Sequence, residues 1–277
     1  MLTRVVVGRA RVVREVRATA PLMSELAAPV TARGPWLTAV LNVQSAPLLA
    51  SARPRAVVVE QHQQGRPDGA ALLSFRRRGP VTAVTLLGDA VGPVPGGSPP
   101  RRLYARDDDV AGRLADGVVD LLARTRGPWT LRLAGLPLGD PTVRRLAEVL
   151  DTAEVANSRS RRLTDDLDAV ADLRRSRDPG DLERWLPALL ERLPAGERRF
   201  ARAAARLHAA IGRVELAVVP GPDGPAAALL TLLDGPDADL RLPWWGFSDV
   251  GGLGRVLGSP VVTLTAAAGL RGLSRRA

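Results

Sequence analysis

The stretch RAVVVEQHQQGRPDGAALLSFRRRGPVTAVTLLG, residues 55–88, decides the fold class. It holds three short apolar runs separated by Gly, Pro and Asp residues that favour turns. We predict strands at Arg55–Glu60, Ala70–Phe75 and Val81–Leu87. Because short connections join neighbouring strands antiparallel, the stretch predicts a three-stranded meander.

Helical patterns flank this meander. Thr31–Asn42 predicts a short helix, and the apolar spacing after Asp107 predicts a longer one whose first turn carries Asp108 and Asp109. A strand at Trp129–Ala134 and a helix at Pro141–Leu150 follow. The first half is therefore predicted to have the order α-β-β-β-α-β-α.

The second half repeats this order in part. Helices are predicted from Asp178 and after Gly196, and strands at Arg213–Val219, Ala226–Leu233, Leu240–Phe247 and Pro260–Thr265. We predict an α/β protein (α+β, with a mixed sheet) whose two halves, 1–150 and 151–277, each pack helices on a mainly antiparallel meander. The repeat lies in the order of elements and not in residue identity.

The composition excludes several kinds of site. The chain has no cysteine, which excludes disulfide frameworks, zinc–thiolate sites, iron–sulfur clusters and thiol nucleophiles. Its two histidines, His62 and His208, do not favour a metal site, so we expect no metal. His208 lies beside the apolar face of a predicted helix, and we expect it to be a packing residue.

The charge is strongly positive and unevenly distributed. The 277 residues carry a formal net charge of +10, and all 39 cations are arginine, in a composition that looks biased towards GC-rich codons. The excess lies in the first half, including the clusters Arg76–Arg78 and Arg101–Arg106. A solvated arginine-rich face explains these residues, and an anionic partner would also fit them. Only 3% of residues are aromatic, which disfavours recognition of single-stranded nucleic acid.

No apolar run is long enough for a membrane span. Arginines interrupt the valines of Met1–Leu22, so this segment does not have the pattern of a secretory signal. We expect a cytoplasmic protein without a membrane partner.

One glycine-rich turn is a candidate anion site. Gly251, Gly252 and Gly254 follow a predicted strand and precede Arg255, where a short helix could begin. Glycine lets a backbone approach a phosphate closely, and the free N–H groups of a helix start favour anions. Three glycines within four residues also suit a loop that only reverses the chain direction, and both interpretations stay open.

The predicted helices, meander, glycine-rich turn and Gly251-Gly-Leu-Gly254 resemble the GNAT acyltransferase superfamily, and the two halves resemble its tandem, CelD-like members. In that family a Gln/Arg-x-x-Gly-x-Gly/Ala turn binds the pyrophosphate of acyl-CoA. Asp249 stands where the family has Gln or Arg, and an aspartate there would repel phosphate. The first half has no such motif, although Arg101, Arg102 and Arg106 offer side-chain contacts instead.

The resemblance implies acetyl-CoA or another acyl-CoA as cofactor, and a small-molecule or peptide amine as acceptor. Such transfer needs a base for the ammonium group and a donor for the leaving thiolate. The candidates are Glu60, Glu215 and Tyr104, and each has a structural alternative.

Three functions are carried forward. The first is an acyl-CoA-dependent N-acyltransferase, and the second is a non-catalytic GNAT-like module that binds a ligand or a protein. A basic nucleic-acid-binding protein is the least favoured. The sequence does not determine the acceptor, the acyl chain or the oligomeric state.

Overall fold

The structure is a computed structural model that describes residues 1–44, 52–63, 65–170, 172–235 and 237–269. The chain forms two compact units, and each is assembled from separate stretches of sequence. The first unit comprises Met1–Asp89, Arg101–Ser158 and Pro260–Ala277, and the second comprises Ala90–Pro100 and Arg159–Ser259. A domain boundary after residue 150 stays a prediction.

The helices and strands agree with the mixed α/β class predicted from the sequence. The helices are α1 (Arg9–Ala18), α2 (Ala20–Glu25), α3 (Gly34–Gln44), α4 (Asp108–Ala123), α5 (Pro141–Val149), α6 (Pro179–Glu191) and α7 (Ala195–Ala209). The strands are β1 (Leu2–Val7), β2 (Ala52–Glu60), β3 (Pro67–Arg78), β4 (Val81–Leu86), β5 (Tyr104–Ala105), β6 (Trp129–Pro137), β7 (Glu154–Asp165), β8 (Arg174–Ser176), β9 (Val214–Gly221), β10 (Gly224–Asp234), β11 (Leu240–Ser248) and β12 (Leu253–Ala268).

The first unit is built on a mixed sheet with the strand order β1-β2-β3-β4-β6-β12-β7, and β5 pairs with β3. The predicted meander is confirmed as β2, β3 and β4, which pair antiparallel. β4 then pairs in parallel with β6, and β6 pairs antiparallel with β12. The predicted order of helices, meander, helix and further strand is therefore present in this unit.

The core of the first unit lies between this sheet and its helices. Val110, Leu114, Val118 and Leu121 form one stripe of α4 and are buried against residues of β2, β3, β4 and β6. Burial of one such side chain contributes about 1.5–3 kcal/mol. The stripe thereby fixes α4 along the sheet and sets the position of both ends of the helix.

The second unit contains a four-stranded antiparallel sheet in the order β11-β10-β9-β8. Two helices, α6 and α7, precede β9 in sequence, so the repeated order of helices followed by a meander is confirmed. α6 continues through Pro187, a residue type that usually limits or kinks a helix. Leucines on both sides of Pro187 are buried, and this packing offsets a proline cost of about 3 kcal/mol.

Two other expectations differ from the structure. Arg255 lies in β12, which begins at Leu253, so no helix starts there and the last strand is longer than Pro260–Thr265. β1 and α1 were not predicted. In β1 only Val6 is buried, so this strand does not show the alternation of apolar and polar residues that is typical of a core strand.

Candidate functional site

β4 and β6 form a parallel pair in the sheet of the first unit, and we call the space between the carboxyl ends of these two strands the gap. The ladder runs from Thr82 opposite Trp129 to Thr85 opposite Arg132. β4 ends at Leu86, whereas β6 continues to Pro137. Gly88, which follows β4 at φ +87°, and Gly135 of β6, at φ +74°, lie beyond this ladder.

Arg101 bridges these two strand ends. Its backbone N–H donates to Gly135 O at 3.1 Å, and its Nη2 donates to Gly88 O at 2.6 Å. The residue is 7% exposed, and burial lowers the pKa of its guanidinium group. Among the described residues its Nη1 has no hydrogen-bond partner. Arg101 therefore occupies the gap with its own backbone and side chain and is not presented to solvent.

The start of α4 carries negative charge. The Asp107 carboxylate accepts a hydrogen bond from Val110 N at 2.8 Å and caps the helix, as the sequence predicted. Asp108 and Asp109 occupy the first turn. A helix N-terminus attracts anions through its free N–H groups, but here one N–H is already bonded and three carboxylates surround it. This end of α4 is unsuited to a pyrophosphate.

Arg102 and Arg106 serve contacts within the first unit. Arg106 forms ion pairs with Asp68, and with Glu25 at 3.4 Å. Burial raises the pKa of Asp140, and the nearby positive charge of Arg102 opposes that rise. The three arginines proposed as phosphate contacts thus all interact with groups of the protein itself. Their binding role stays a prediction.

Tyr104, the proposed proton donor, lies in β5 and is 2% exposed. Its hydroxyl donates to the carbonyl oxygen of Ala32, and burial raises its pKa further above 10. This hydrogen bond therefore joins β5 to the segment that precedes α3. The hydroxyl proton of Tyr104 is bonded to a backbone carbonyl in the interior and is not directed to solvent.

Glu60 lies at the end of β2 and is 1% exposed. It accepts hydrogen bonds from Arg4 Nε at 3.0 Å and Arg4 Nη2 at 3.4 Å. Arg4 also donates to Glu15 at 2.8 Å, and the bonds to Glu15, followed by those to Glu60, raise the pKa of Arg4. Glu60 thus joins β2 to β1 through its ion pair with Arg4, whereas a base for an ammonium group needs a carboxylate that the ammonium group can reach.

Glu215, in the second unit, is surrounded by three arginines. Its oxygens lie 2.6 Å from Arg241 Nη2, 3.3 Å from Arg175 Nη1 and 3.6 Å from Arg177 Nε. Arg175 also pairs with Asp165 at 3.0 Å. This network satisfies the carboxylate of Glu215 and holds β8 on β9. A catalytic role for Glu60, Tyr104 or Glu215 stays a prediction.

The glycine-rich turn joins β11 to β12 in the second unit. Gly251 and Gly252 adopt φ of +85° and +79°. A Cβ on Gly252 would lie 3.0 Å from the side chains of Leu167 and Val170, and Asp166 N donates to Gly252 O at 2.8 Å. Close packing and chain reversal therefore account for these glycines. Asp249 forms an ion pair with Arg192 at 3.1 Å.

Gly254 and Arg255 follow this turn on β12. Arg255 is exposed and lines a cavity of about 220 Å³ with Trp244, Trp245 and Arg161. The phosphate-binding role of Gly251, Gly252, Gly254 and Arg255 stays a prediction, without the helix start that would have supported it.

His208 is buried in α7, as expected for a packing residue. Its Nδ1 lies 2.8 Å from Ala204 O, and burial lowers its pKa. Within the described ranges, no three His, Asp or Glu side chains are grouped closely enough to hold a metal ion. No helix in the described part of the chain has the length and apolar character needed to cross a membrane.

Four arginines that the sequence did not single out lie with Arg77 around a cavity of the first unit. They are Arg53, Arg55, Arg124 and Arg126. Arg53 and Arg55 come from β2, and Arg124 and Arg126 come from the segment between α4 and β6, so strand pairing and the packing of α4 together bring them to one place. Their sequence signal is two Arg-x-Arg pairs, each at a predicted element boundary.

No protein-family model matches this chain, and no curated protein matches it. Among solved structures, it is similar to a tandem GNAT protein from the clavulanic acid biosynthesis pathway, solved without AcCoA, at 16% identity and a TM-score of 0.44. That match covers 97% of this chain and 99% of the other. The chain is also similar to FemX, at 10% identity and a TM-score of 0.46, over 84% of this chain and 58% of FemX. These likenesses concern the fold.

Proposed function

We propose that this chain is a ligand-binding protein with a GNAT-like fold that does not transfer acyl groups from CoA. The observation that carries the proposal is Arg101, whose backbone N–H and guanidinium group bond to Gly135 O and Gly88 O between the ends of β6 and β4. Under the resemblance, the pantetheine arm of acyl-CoA would lie in this gap, where Arg101 occupies both carbonyl oxygens. It would have to displace a residue that is 7% exposed.

The charges near this gap also do not fit acyl-CoA. The adjacent helix start holds Asp107, Asp108 and Asp109, which repel a pyrophosphate. Within the Arg101–Arg106 segment, Arg101 is buried and Arg106 forms an ion pair with Asp68. We therefore derive no chemical step through a CoA thioester.

An acyl-CoA-dependent N-acyltransferase acting on an amine is the second candidate. One observation favours it: the first unit contains the helices and the antiparallel meander on which the resemblance rests, followed by the parallel pair β4–β6. Under this alternative, the Arg101 segment would have to leave the gap before acetyl-CoA or another acyl-CoA entered.

Calorimetry with acetyl-CoA and with CoA separates the two candidates. We expect no saturable heat from the natural protein at about 1 mM ligand, which corresponds to binding weaker than about −4 kcal/mol. Saturable binding, followed by release of CoA when an amine is added, would overturn the proposal.

Two variants test the part played by Arg101. If Arg101→Gly binds CoA and Arg102→Gly does not, this result would support the proposal that Arg101 closes the gap. Tight binding by the natural protein and by both variants alike would contradict it.

A further inference from the structure

A cavity of about 450 Å³ lies in the first unit, at the end of the sheet where β4 and β6 begin. We call it the basic cavity, and its walls contain five arginines: Arg53, Arg55, Arg77, Arg124 and Arg126. Gly88 and Gly135 lie at the opposite ends of the same two strands. The basic cavity is therefore separate from the gap filled by Arg101.

Strand pairing explains how the sequence assembles this wall. Arg53 and Arg55 are two residues apart on β2, so both point to one face. Arg53 lies opposite Phe75 on β3, and Arg77 is two residues beyond Phe75. These side chains therefore share a face of the sheet. Arg124 and Arg126, which follow α4, complete the cavity.

The charge of the basic cavity is not balanced within the protein. No carboxylate lines it, and none of the five arginines forms an ion pair in the part of the chain that the structure describes. In contrast, Arg4, Arg106 and Arg175 all have carboxylate partners. Five unopposed guanidinium groups around one space repel each other, and an anion within that space would relieve the repulsion.

Arg55 is half-buried, whereas the other four arginines are exposed. Its guanidinium carbon lies 4.2 Å from the centre of the Phe75 ring, and Phe75 is 4% exposed. The Nε of Arg55 is buried and has no hydrogen-bond partner among the described residues. Burial, and then the charge of Arg53, lowers the pKa of Arg55. The ring contact restrains this side chain while leaving donors unused, as a preformed anion site requires.

We propose that the basic cavity binds a small polyphosphate anion, such as inorganic tripolyphosphate or the polyphosphate group of a nucleotide. Guanidinium groups bond phosphate oxygens in pairs, and a charge of about −4 on the ligand suits five arginines with no opposing acid. The volume lies within the usual range of small-molecule sites, about 300–1,000 Å³. Arg55 covers the ring of Phe75, which disfavours base stacking by a nucleic acid strand. The proposal is independent of acyl-CoA binding.

The first test is a calorimetric titration of the full chain with tripolyphosphate at about 150 mM salt, where long-range attraction is screened beyond about 8 Å. We expect saturable binding at about one site, and much weaker binding of sulfate. The absence of saturable binding up to about 5 mM tripolyphosphate, which is weaker than about −3 kcal/mol, would overturn the proposal.

The chain offers matched controls for charge. Arg77→Gln should weaken tripolyphosphate binding about tenfold by removing one phosphate contact, and so should Arg124→Gln combined with Arg126→Gln. Arg76→Gln removes the same charge from the adjacent position on β3, whose side chain points to the other face, and should leave binding within about twofold. Circular dichroism would verify that each variant is folded.

Two outcomes would contradict the site. Equal losses for Arg76→Gln and Arg77→Gln would mean that tripolyphosphate follows the general surface charge. Tighter binding of duplex DNA than of tripolyphosphate, with the same dependence on Arg77, would assign the surface to nucleic acid instead.

Discussion

Two glycines of α4 allow the packing of this helix to be tested with a single type of substitution. A Cβ on Gly112 would meet no atom within 4 Å, whereas a Cβ on Gly117 would lie 2.6 Å from Thr3 Cγ2 and 2.7 Å from Val57 Cγ1. Gly112→Ala should therefore stabilise the protein by about 0.5–1 kcal/mol through helix propensity alone.

Gly117→Ala has the same propensity gain, opposed by a steric cost. Both contacts fall well short of an ordinary separation, and the two partners differ in their freedom to move. Thr3 is exposed, but Val57 is fully buried on β2 and is stiff at χ1. Overpacking of this kind costs about 1–3 kcal/mol, so we expect net destabilisation of about 1–2 kcal/mol.

Thermal or urea unfolding followed by circular dichroism measures the difference. The two variants should differ in stability by about 1.5–3 kcal/mol, and at about 2–4 °C per kcal/mol they should differ in Tm by about 3–12 °C. Val57→Ala should relieve part of the Gly117→Ala cost, giving a non-additive double mutant. Equal stability of Gly112→Ala and Gly117→Ala would refute the close contact between α4 and β2.

Two further predictions concern charge and capping. Burial lowers the pKa of His208 in the folded protein. The histidine therefore binds a proton more tightly in the unfolded chain. Its contribution to the unfolding free energy is present above the unfolded pKa of about 6.5 and is lost as the pH falls below that value. His208→Gln should therefore reduce the fall in unfolding free energy between about pH 7.5 and pH 5.5, and an unchanged fall would argue against this assignment. Asp107→Ala should lower the unfolding free energy by about 1 kcal/mol, because it removes the cap of α4. Asp107→Ser keeps a capping oxygen and should retain most of that stability in urea unfolding. Equal stability of the two variants would contradict the capping role.

Much of the fold follows from local sequence patterns. β2, β3 and β4 were predictable because turn residues bound each apolar run. α4 and α5 were predictable because Asp107 and Asp140 cap apolar helical repeats, and both carboxylates do accept backbone N–H bonds. β1 was not predicted, because an edge strand with one buried valine has no distinctive sequence pattern.

The candidate sites were less predictable, because their properties depend on burial and on distant pairing. The Arg101–Arg106 cluster was identified from the sequence as a possible anion contact, but Arg101 is buried and Arg106 is paired with Asp68. Arg77 belongs to a basic cluster that the sequence shows directly, whereas its companions Arg53 and Arg124 belong to elements far away in sequence. The register of β2 and β3 places Arg53 beside Arg77, and the packing of α4 on the sheet places Arg124 there. No local pattern contains either arrangement.

The position of β12 in the first unit's sheet has a consequence for biosynthesis. β12 lies beside β6, with Val262 opposite Leu136 and Ala266 opposite Leu131, although the residues of the second unit separate these strands in sequence. A nascent chain that has emerged only as far as residue 158 therefore presents β6 as an open edge, with unpaired N–H and C=O groups. Closure of this sheet must wait until β12 has been synthesised, so folding of the first unit depends on a non-local pairing, which is intrinsically slow. Until then, chaperones or neighbouring nascent chains have access to the β6 edge, which makes aggregation during synthesis the characteristic failure of this topology.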